Sequence, residues 1–511
     1  MLTRLYVDGF KNLSNLDIRF GPFTCIAGEN AVGKSNIFDV IELLVLLTDH
    51  PVAKAVGMLR GQSAKVVQGN LLESIFHQAG DVKSRRITIL AELIIPRSGR
   101  DELGQMAEAT FNFLKYELVL ESSPYRKEGE EPFTIVRESL KPIRKGDAHK
   151  HLLFKHSFKW RQSVIQGRRS VDFISTTEED GETYINLHQD GGSKGKPNPF
   201  LARNLPRTIL STAKYASENP TALLVRREMQ SWKLLQLEPT ALRQPDELET
   251  YNNNIRLGSN GAHLAATVYR MARQEALESA VDKETLSREV LKDLSHALSE
   301  LIDNVKDIEI DRDEKRQLLS LRLLTRDGSR LSANSLSDGT LRFLALAVLE
   351  MDYTETGLLC MEEPENGIHP RRVPAIMNLL RNIPFDPDQE HDKENSLRQV
   401  IINTHAPLVV QLVPDDCLIY LQLSPKKAQG KRFDVVAQKA VQKTWRTERG
   451  DQKVEPAHKG KLLDYLKPDN EEFDVYNLEE ESGRKKKKLL KNRHDLRPTL
   501  PGLFEDDGDE R

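Results

Sequence analysis

A chain of 511 residues with 38% hydrophobic content can bury a large core, and its length fits roughly two to four domains, so a wholly disordered protein is excluded. Its 77 acidic and 74 basic residues nearly cancel to a net charge of −3, so any nucleic-acid surface must be a local patch and not a global field. The longest apolar run, 40–47, is interrupted by Glu42 and too short to span a bilayer, and the N-terminus has no signal-peptide layout; a cytoplasmic protein is expected. Cys25, Cys360 and Cys417 each fall in a predicted strand without CxxC spacing, which reads as inert core thiols in a reducing compartment.

The chain opens on two predicted strands, 2–7 and 16–20, on either side of the turn Gly9-Phe10-Lys11-Asn12. A short apolar run, 23–27, leads into Gly28-Glu29-Asn30-Ala31-Val32-Gly33-Lys34-Ser35, and an apolar helix-like run, 37–47, follows. Two spaced glycines followed by Lys and Ser, between a buried strand and a helix, fit the phosphate-binding loop. Glycines let the backbone curl so that several N–H groups point at a β-phosphate, and the helix N-terminus adds its positive dipole end. Lys34 would neutralise the β- and γ-phosphates of ATP and Ser35 would ligate Mg²⁺, with Gly28, Asn30, Gly33 and Asn36 completing the nucleotide-binding set. Residues 51–80 read as helical and then loop-like, ending in His77-Gln78-Ala79-Gly80 ahead of strands at 86–90 and 93–95.

Alternation at 116–120 and 133–136 predicts hairpins within a β-rich stretch, 105–204. Within it 141–169 is locally basic, facing only Asp147 among acids, with Phe154, Phe158 and Trp160 interleaved. Bases that neutralise phosphates and an aromatic that stacks on a nucleobase would make this a DNA contact. Equally, the aromatics could be the buried face of a hairpin and the charges its solvated face. His188, followed by Gln189-Asp190-Gly191-Gly192, has no second ligand at suitable spacing and reads as a turn.

From 205 to 304 the pattern is mostly helical, with apolar residues at helical spacing in 222–237, 261–272 and 286–301. No sustained heptad run occurs there, so a long coiled-coil arm is excluded. Strands at 308–310 and 318–324 precede Ser335-Leu336-Ser337-Asp338-Gly339-Thr340, which opens a helix over 341–349 and offers a hydroxyl-and-backbone anion site. Gly357-Leu358-Leu359-Cys360-Met361-Glu362-Glu363 is an apolar strand ending in two acids: Glu362 is assigned to the metal and Glu363 to the attacking water. Another buried strand, Val400-Ile401-Ile402-Asn403-Thr404-His405, brings His405 within reach of a γ-phosphate, and 417–423 makes one more. Residues 426–511 are rich in charge, with Arg484-Lys485-Lys486-Lys487-Lys488 and later Glu505-Asp506-Asp507, and read as a solvated tail that docks a partner or DNA or is passive.

The order of the phosphate loop, Ser337-Asp338-Gly339-Thr340, Glu362-Glu363-Pro364-Glu365-Asn366-Gly367-Ile368-His369-Pro370 and Thr404-His405-Ala406-Pro407 resembles the ABC-type ATPase heads of the RecF and structural-maintenance-of-chromosomes class. Within that class it resembles phage-defence ATPases of the overcoming-lysogenisation-defect and Septu type, over the first hundred or so residues and 205–425. The resemblance implies an α/β P-loop ABC-type ATPase head, 1–104 and 306–425, with a β-rich insertion, 105–204, a helical lobe, 205–305, and a charged tail, 426–511. In such heads ATP lies between two protomers, which implies an ATP-bridged homodimer or higher assembly in which Ser337 and Gly339 contact the nucleotide on the partner's loop. It also implies a basic residue near the nucleotide, for which Lys11 is the candidate, the alternative being an exposed turn lysine. Gln78 is the candidate for a glutamine linking Mg²⁺ to the accessory lobe, the alternative being a plain loop glutamine.

Two departures from the commonest ABC pattern, Glu362 in place of Asp and Asp338 where transporters usually carry Gly, match the defence subgroup and argue against a transporter subunit. The stretch 426–511 has no room for an acid-rich nuclease domain, and no HNH or PD-(D/E)XK layout is found, so cutting of DNA is expected from a separate effector or nuclease subunit. The expected function is an ATP-hydrolysing switch that gates action on DNA or on that partner in antiphage defence. A RecF-like repair or replication mediator and a self-contained nuclease are the alternatives.

Overall fold

The computed structural model describes residues 1–59, 75–79, 82–122, 132–190, 197–248, 255–278, 283–299, 304–392, 394–428, 431–449 and 454–466. The N-terminal alternation folds as expected: β1 (Leu2–Asp8) pairs antiparallel with β2 (Leu16–Arg19) around the Gly9 turn. β3 (Phe23–Gly28) leaves that sheet for a second one and is buried along its whole length, which is why it reads as an unbroken apolar run. The phosphate loop then turns into α1 (Lys34–Leu46).

The two strands expected at 86–90 and 93–95 are one, β4 (Arg86–Ile94). Glu92, the residue that interrupts its apolar pattern, is fully buried without breaking it, because Arg4, Arg19 and His151 all reach its carboxylate. β4 pairs directly with β5 (Phe113–Ser122), so the sheet runs on without interruption across residue 104. It continues through β6 (Phe133–Pro142), β7 (Ile174–Glu179), β8 (Glu182–Leu187) and β9 (Asn198–Leu201) to an eight-stranded antiparallel order β9-β8-β7-β6-β5-β4-β1-β2. The hairpins expected from 105 to 204 are therefore an extension of the N-terminal sheet.

Residues 205–299 carry α2 (Pro220–Gln230), α3 (Leu264–Glu278) and α4 (Lys283–Ser299). The helix expected over 222–237 is shorter: α2 ends before Ser231, and β10 (Lys233–Leu235) joins a sheet. Here the apolar residues satisfy either period, and parallel pairing with a buried strand decides. β11 (Val305–Asp313) and β12 (Leu318–Thr325) form a small antiparallel sheet that leads to α5 (Asp338–Met351).

The central sheet is assembled from distant segments. β13 (Gly357–Glu362), α6 (Val373–Asn382) and β14 (Arg398–Thr404) are followed by β15 (Leu418–Ala428), β16 (Lys431–Val441) and β17 (Glu455–Ala457), and the strand order is β10-β13-β14-β3-β15-β16-β17. β10, β13, β14, β3 and β15 are parallel, so their C-terminal ends, and the loops that follow, lie on one edge. β3 serves two cores at once: Ile26 packs with the eight-stranded sheet and α1, while Phe23, Cys25 and Ala27 pack with α3 to α6.

The expectation that 426–511 is a solvated tail is corrected for its first part. β16, β17 and α7 (Lys459–Leu466) are folded onto the central sheet, with Val436, Trp445 and Leu462 buried. The lysine run at 484–488 and the acids at 505–507 lie outside the described residues. Cys25, Cys360 and Cys417 are buried as expected, Cys417 in a 3-10 turn just ahead of β15, and burial pushes the thiols of Cys25 and Cys360 well up.

Candidate functional site

The phosphate loop is a strand-to-helix turn held open by close backbone approaches. Gly33 has φ 108°, the left-handed region that favours glycine, and a Cβ there would meet the Asn12 amide at 2.5 Å. At Gly28 a Cβ would stand 2.7 Å from the Leu421 carbonyl oxygen of β15. Asn12 braces the loop from outside: its Nδ2 donates to the Val32 carbonyl at 3.0 Å, and its Oδ1 accepts from Asn36 Nδ2 at 2.8 Å. Asn36 is therefore part of the brace, and Asn12 is a site residue that the sequence shows only as part of a turn. Asn30 is exposed on the loop and Ser35 half-buried at the start of α1. Lys34 folds back over the loop and donates to the carbonyls of Gly28 and Glu29, both at 2.8 Å. Its burial lowers the ammonium pKa, opposed by the nearby carboxylates of Glu363, Glu365, Glu362 and Glu29.

Lys11 is neither an exposed turn lysine nor free. With φ 49° it turns its ammonium onto Asp39 of α1 at 2.5 Å, tying the turn to the loop's helix. Residues 75–77 lie along this turn, with the Ile75 carbonyl accepting from Lys11 N–H and the Gly9 carbonyl from His77 N–H. Gln78 follows on a two-residue strand, Gln78–Ala79, that pairs with Val82–Lys83.

The carboxylates arrive on the neighbouring strands. Register places Glu362 opposite Asn403, and Thr404 opposite Ala27, so the ends of β13, β14 and β3 stand side by side. Asn403 orders both acids: its backbone oxygen and Oδ1 accept the Glu363 N–H at 3.0 and 3.2 Å, and its Nδ2 lies 3.4 Å from Glu362 Oε1. Glu363 has φ 44°, a strained conformation for a non-glycine. From there its Oε1 meets His405 Nδ1 at 2.8 Å. Two further acceptors and donors complete the corner: Glu365 Oε1 accepts from the Thr404 hydroxyl, and Thr404 Oγ1 accepts from the Ala406 N–H at 2.9 Å. Asn403, Thr404 and Glu365 lie within the sequence motifs, but only register reveals what they do.

Ser337 and Gly339 stand elsewhere, at the start of α5. The Ser337 hydroxyl caps the helix, accepting from Thr340 N–H at 3.3 Å. Asp338 pairs with Arg243 at 2.6 Å, and Arg243 also donates to the Leu336 carbonyl at 2.9 Å. Gly339 faces Ile368, and Arg342 donates to the Asn366 carbonyl, so this helix start abuts the turn that follows Glu363.

The basic stretch 141–169 changes character in three dimensions. Trp160 and Phe154 are buried, with Trp160 stacked on Phe385 at 5.0 Å, and among the three aromatics only Phe158 is exposed. Acids that sequence proximity did not show meet the bases: Asp172 pairs with Lys141 and Asp416 with Lys155. Arg169 is spent on the carbonyls of Val171, Gln189 and Asp190. His188 is taken by the Ser175 hydroxyl at 2.8 Å, and Gly191 and Gly192 of the expected turn lie outside the described residues.

The residues at the three strand ends suit a nucleotide with Mg²⁺. A left-handed glycine loop leads into a helix start, whose first N–H groups favour an anion, one ammonium reaches the loop carbonyls, and a hydroxyl and a carboxylate supply hard oxygen donors. Among the described residues no group of three or more His, Cys, Asp or Glu could hold a metal ion by itself, and a phosphate-bound Mg²⁺ needs none. No helix of the described residues is long and apolar enough to cross a membrane.

Comparison with known proteins adds a family. The family described as "AAA domain, putative AbiEii toxin, Type IV TA system" matches residues 23–411. No curated protein matches the chain. Among solved structures, the chain is similar to an Smc head bound to the C-terminal winged-helix domain of ScpA, with 12% identity, 86% of this chain and 98% of that chain covered, and a TM-score of 0.41. It is similar also to the Smc head with an extended coiled coil bound to the C-terminal domain of ScpA derived from Pyrococcus furiosus, with 11% identity, 85% and 96% coverage and a TM-score of 0.37. The SMC head domain from Thermotoga maritima gives 10% identity, 85% and 98% coverage and a TM-score of 0.31.

Proposed function

The chain belongs to the family described as "AAA domain, putative AbiEii toxin, Type IV TA system", and from that premise we propose that it is an ATP-hydrolysing switch that closes as a nucleotide-bridged pair and gates a partner effector, a nuclease, in antiphage defence. The fold is an α/β P-loop ATPase head of ABC type, which supports an ATP-driven switch. The observation that carries the reading is the meeting of four parts at one sheet edge: Lys34 on the loop, Glu362 and Glu363 at the end of β13, and His405 at the end of β14.

Within this reading each side chain has one task. Lys34 leaves the loop carbonyls to neutralise the β- and γ-phosphates, and the loop N–H groups orient them. Ser35 and Glu362, with Gln78 as a further candidate, would hold Mg²⁺, which neutralises phosphate charge when bound. Glu363 accepts the proton of the attacking water, and His405 holds that carboxylate in place and senses the γ-phosphate. Ser337 and Gly339 complete the site of the second copy. In this reading the partner is a nuclease that acts on DNA, and the switch works in the cytoplasm.

The test uses purified protein and its native host. Wild type should hydrolyse ATP, and tagged Glu363→Gln protein trapped with ATP should bring down a stoichiometric effector. DNA or replication proteins alone in that complex would turn the reading to a RecF-like mediator, and DNA cleavage by the protein by itself would turn it to a self-contained nuclease.

A further inference from the structure

We infer that Glu365 is a positioning residue for the hydrolytic pair: through Thr404 it sets the turn that aims His405 at Glu363. The inference rests on the ATPase reading above and adds a residue to it. Four facts carry it. Glu365 stands two residues beyond Glu363 in a turn closed by Asn366 N–H to the Glu363 carbonyl at 2.9 Å and Ile368 N–H to the Glu365 carbonyl at 3.0 Å. Its Oε1 takes the hydroxyl hydrogen of Thr404, a residue with no exposed surface. Because that hydrogen is committed to Glu365, the lone pairs of Thr404 Oγ1 face the Ala406 N–H, 2.9 Å away. His405 sits between these two anchored residues, and its Nδ1 lies 2.8 Å from Glu363 Oε1.

The result is a closed ring of chain and hydrogen bonds: Glu363, His405, Thr404, Glu365 and back through Pro364. Opening it at Glu365 leaves the Thr404 hydroxyl free to rotate and the Ala406 N–H without its acceptor, and the imidazole is then held by one bond and not by the backbone. The second oxygen, Glu365 Oε2, is buried as well.

Glu365→Gln keeps an acceptor for Thr404, whereas Glu365→Ala removes it. In the wild type, amide hydrogen exchange of metal-free and nucleotide-free protein should protect the segment 404–408. Glu365→Ala should speed exchange there by about tenfold, with Glu365→Gln close to wild type. In ATP hydrolysis, Glu365→Ala should lower kcat on the order of ten- to a hundredfold with KM changed less than about threefold, because misaiming the pair costs the chemical step and not the nucleotide grip. Glu365→Gln should restore most of that loss. Unchanged exchange and kcat in Glu365→Ala would overturn the inference, as would a loss of nucleotide affinity equal to that of Lys34→Ala. Absence of ATP hydrolysis by the wild type is a different result: it would remove the ATPase reading and leave the exchange measurement to decide whether the ring exists.

Discussion

Glu363 and His405 are 42 residues apart in the chain and meet at 2.8 Å across the ends of two adjoining parallel strands. The contact makes one unit of two residues that the sequence offers separately, a base for water and a sensor for phosphate. Glu363 should therefore depend on its partner: Glu363→Gln is expected to bind ATP and lose roughly a hundredfold or more in kcat, the size of a general-base contribution. Lys34→Ala should fail earlier, at binding. Fluorescent-nucleotide titration beside steady-state hydrolysis separates the two, and wild-type turnover by Glu363→Gln would end the assignment of the base.

The loop has no room for a side chain at Gly33. Its φ of 108° and the Asn12 amide, 2.5 Å from where a Cβ would stand, both oppose one. Gly33→Ala should destabilise the fold by about 1–3 kcal/mol and abolish nucleotide binding, since relief requires the loop to shift away from Asn12. Chemical unfolding and nucleotide titration check the two halves; a variant that binds ATP normally would mean that the loop relaxes without leaving its binding form.

Acid should weaken the fold at Glu92. Burial alone would raise this carboxyl, but His151, Arg19 and Arg4 together hold it down at about 2. A folded value below the ordinary 4.5 means that the stabilisation is complete above about pH 4.5 and is lost as pH falls toward 2. Removing the charge with Glu92→Gln should cost on the order of 3 kcal/mol at neutral pH. Urea unfolding of both proteins at about pH 7, 5 and 3.5 should show the gap narrowing at the acid end, and a gap independent of pH would assign the loss to packing.

Residues 431–449 and 454–466 belong to the fold. Trp445 is 5% exposed, and Arg446 stacks on its ring at 4.1 Å while bonding the Arg19 carbonyl and the Thr24 hydroxyl. Trp445→Ala should therefore cost about 3–5 kcal/mol, the loss expected of a buried large aromatic. A cost below about 1 kcal/mol would return this segment to the status of a tail.

The sequence by itself determined whatever is local: the phosphate loop, because its chemistry is a fixed spacing of glycine, lysine and hydroxyl on one strand-to-helix turn, and the buried strands ending in Glu362 and just before His405, because burial on both faces demands an unbroken apolar run. It could not show what depends on register. Asn12 bracing Gly33, Asn403 ordering both glutamates, and Thr404 held by Glu365 arise only when distant strands lie side by side. Nor could it show where charges are spent. The basic stretch 141–169 is unopposed along the chain, and folding sets Asp172 and Asp416 against it; the charged stretch from 426 has the composition of a solvated tail, yet its β16 and β17 extend the central sheet. Charge and apolar pattern are written along the chain, whereas pairing between charges and the face a strand presents are properties of neighbours, and only the tertiary structure decides who they are.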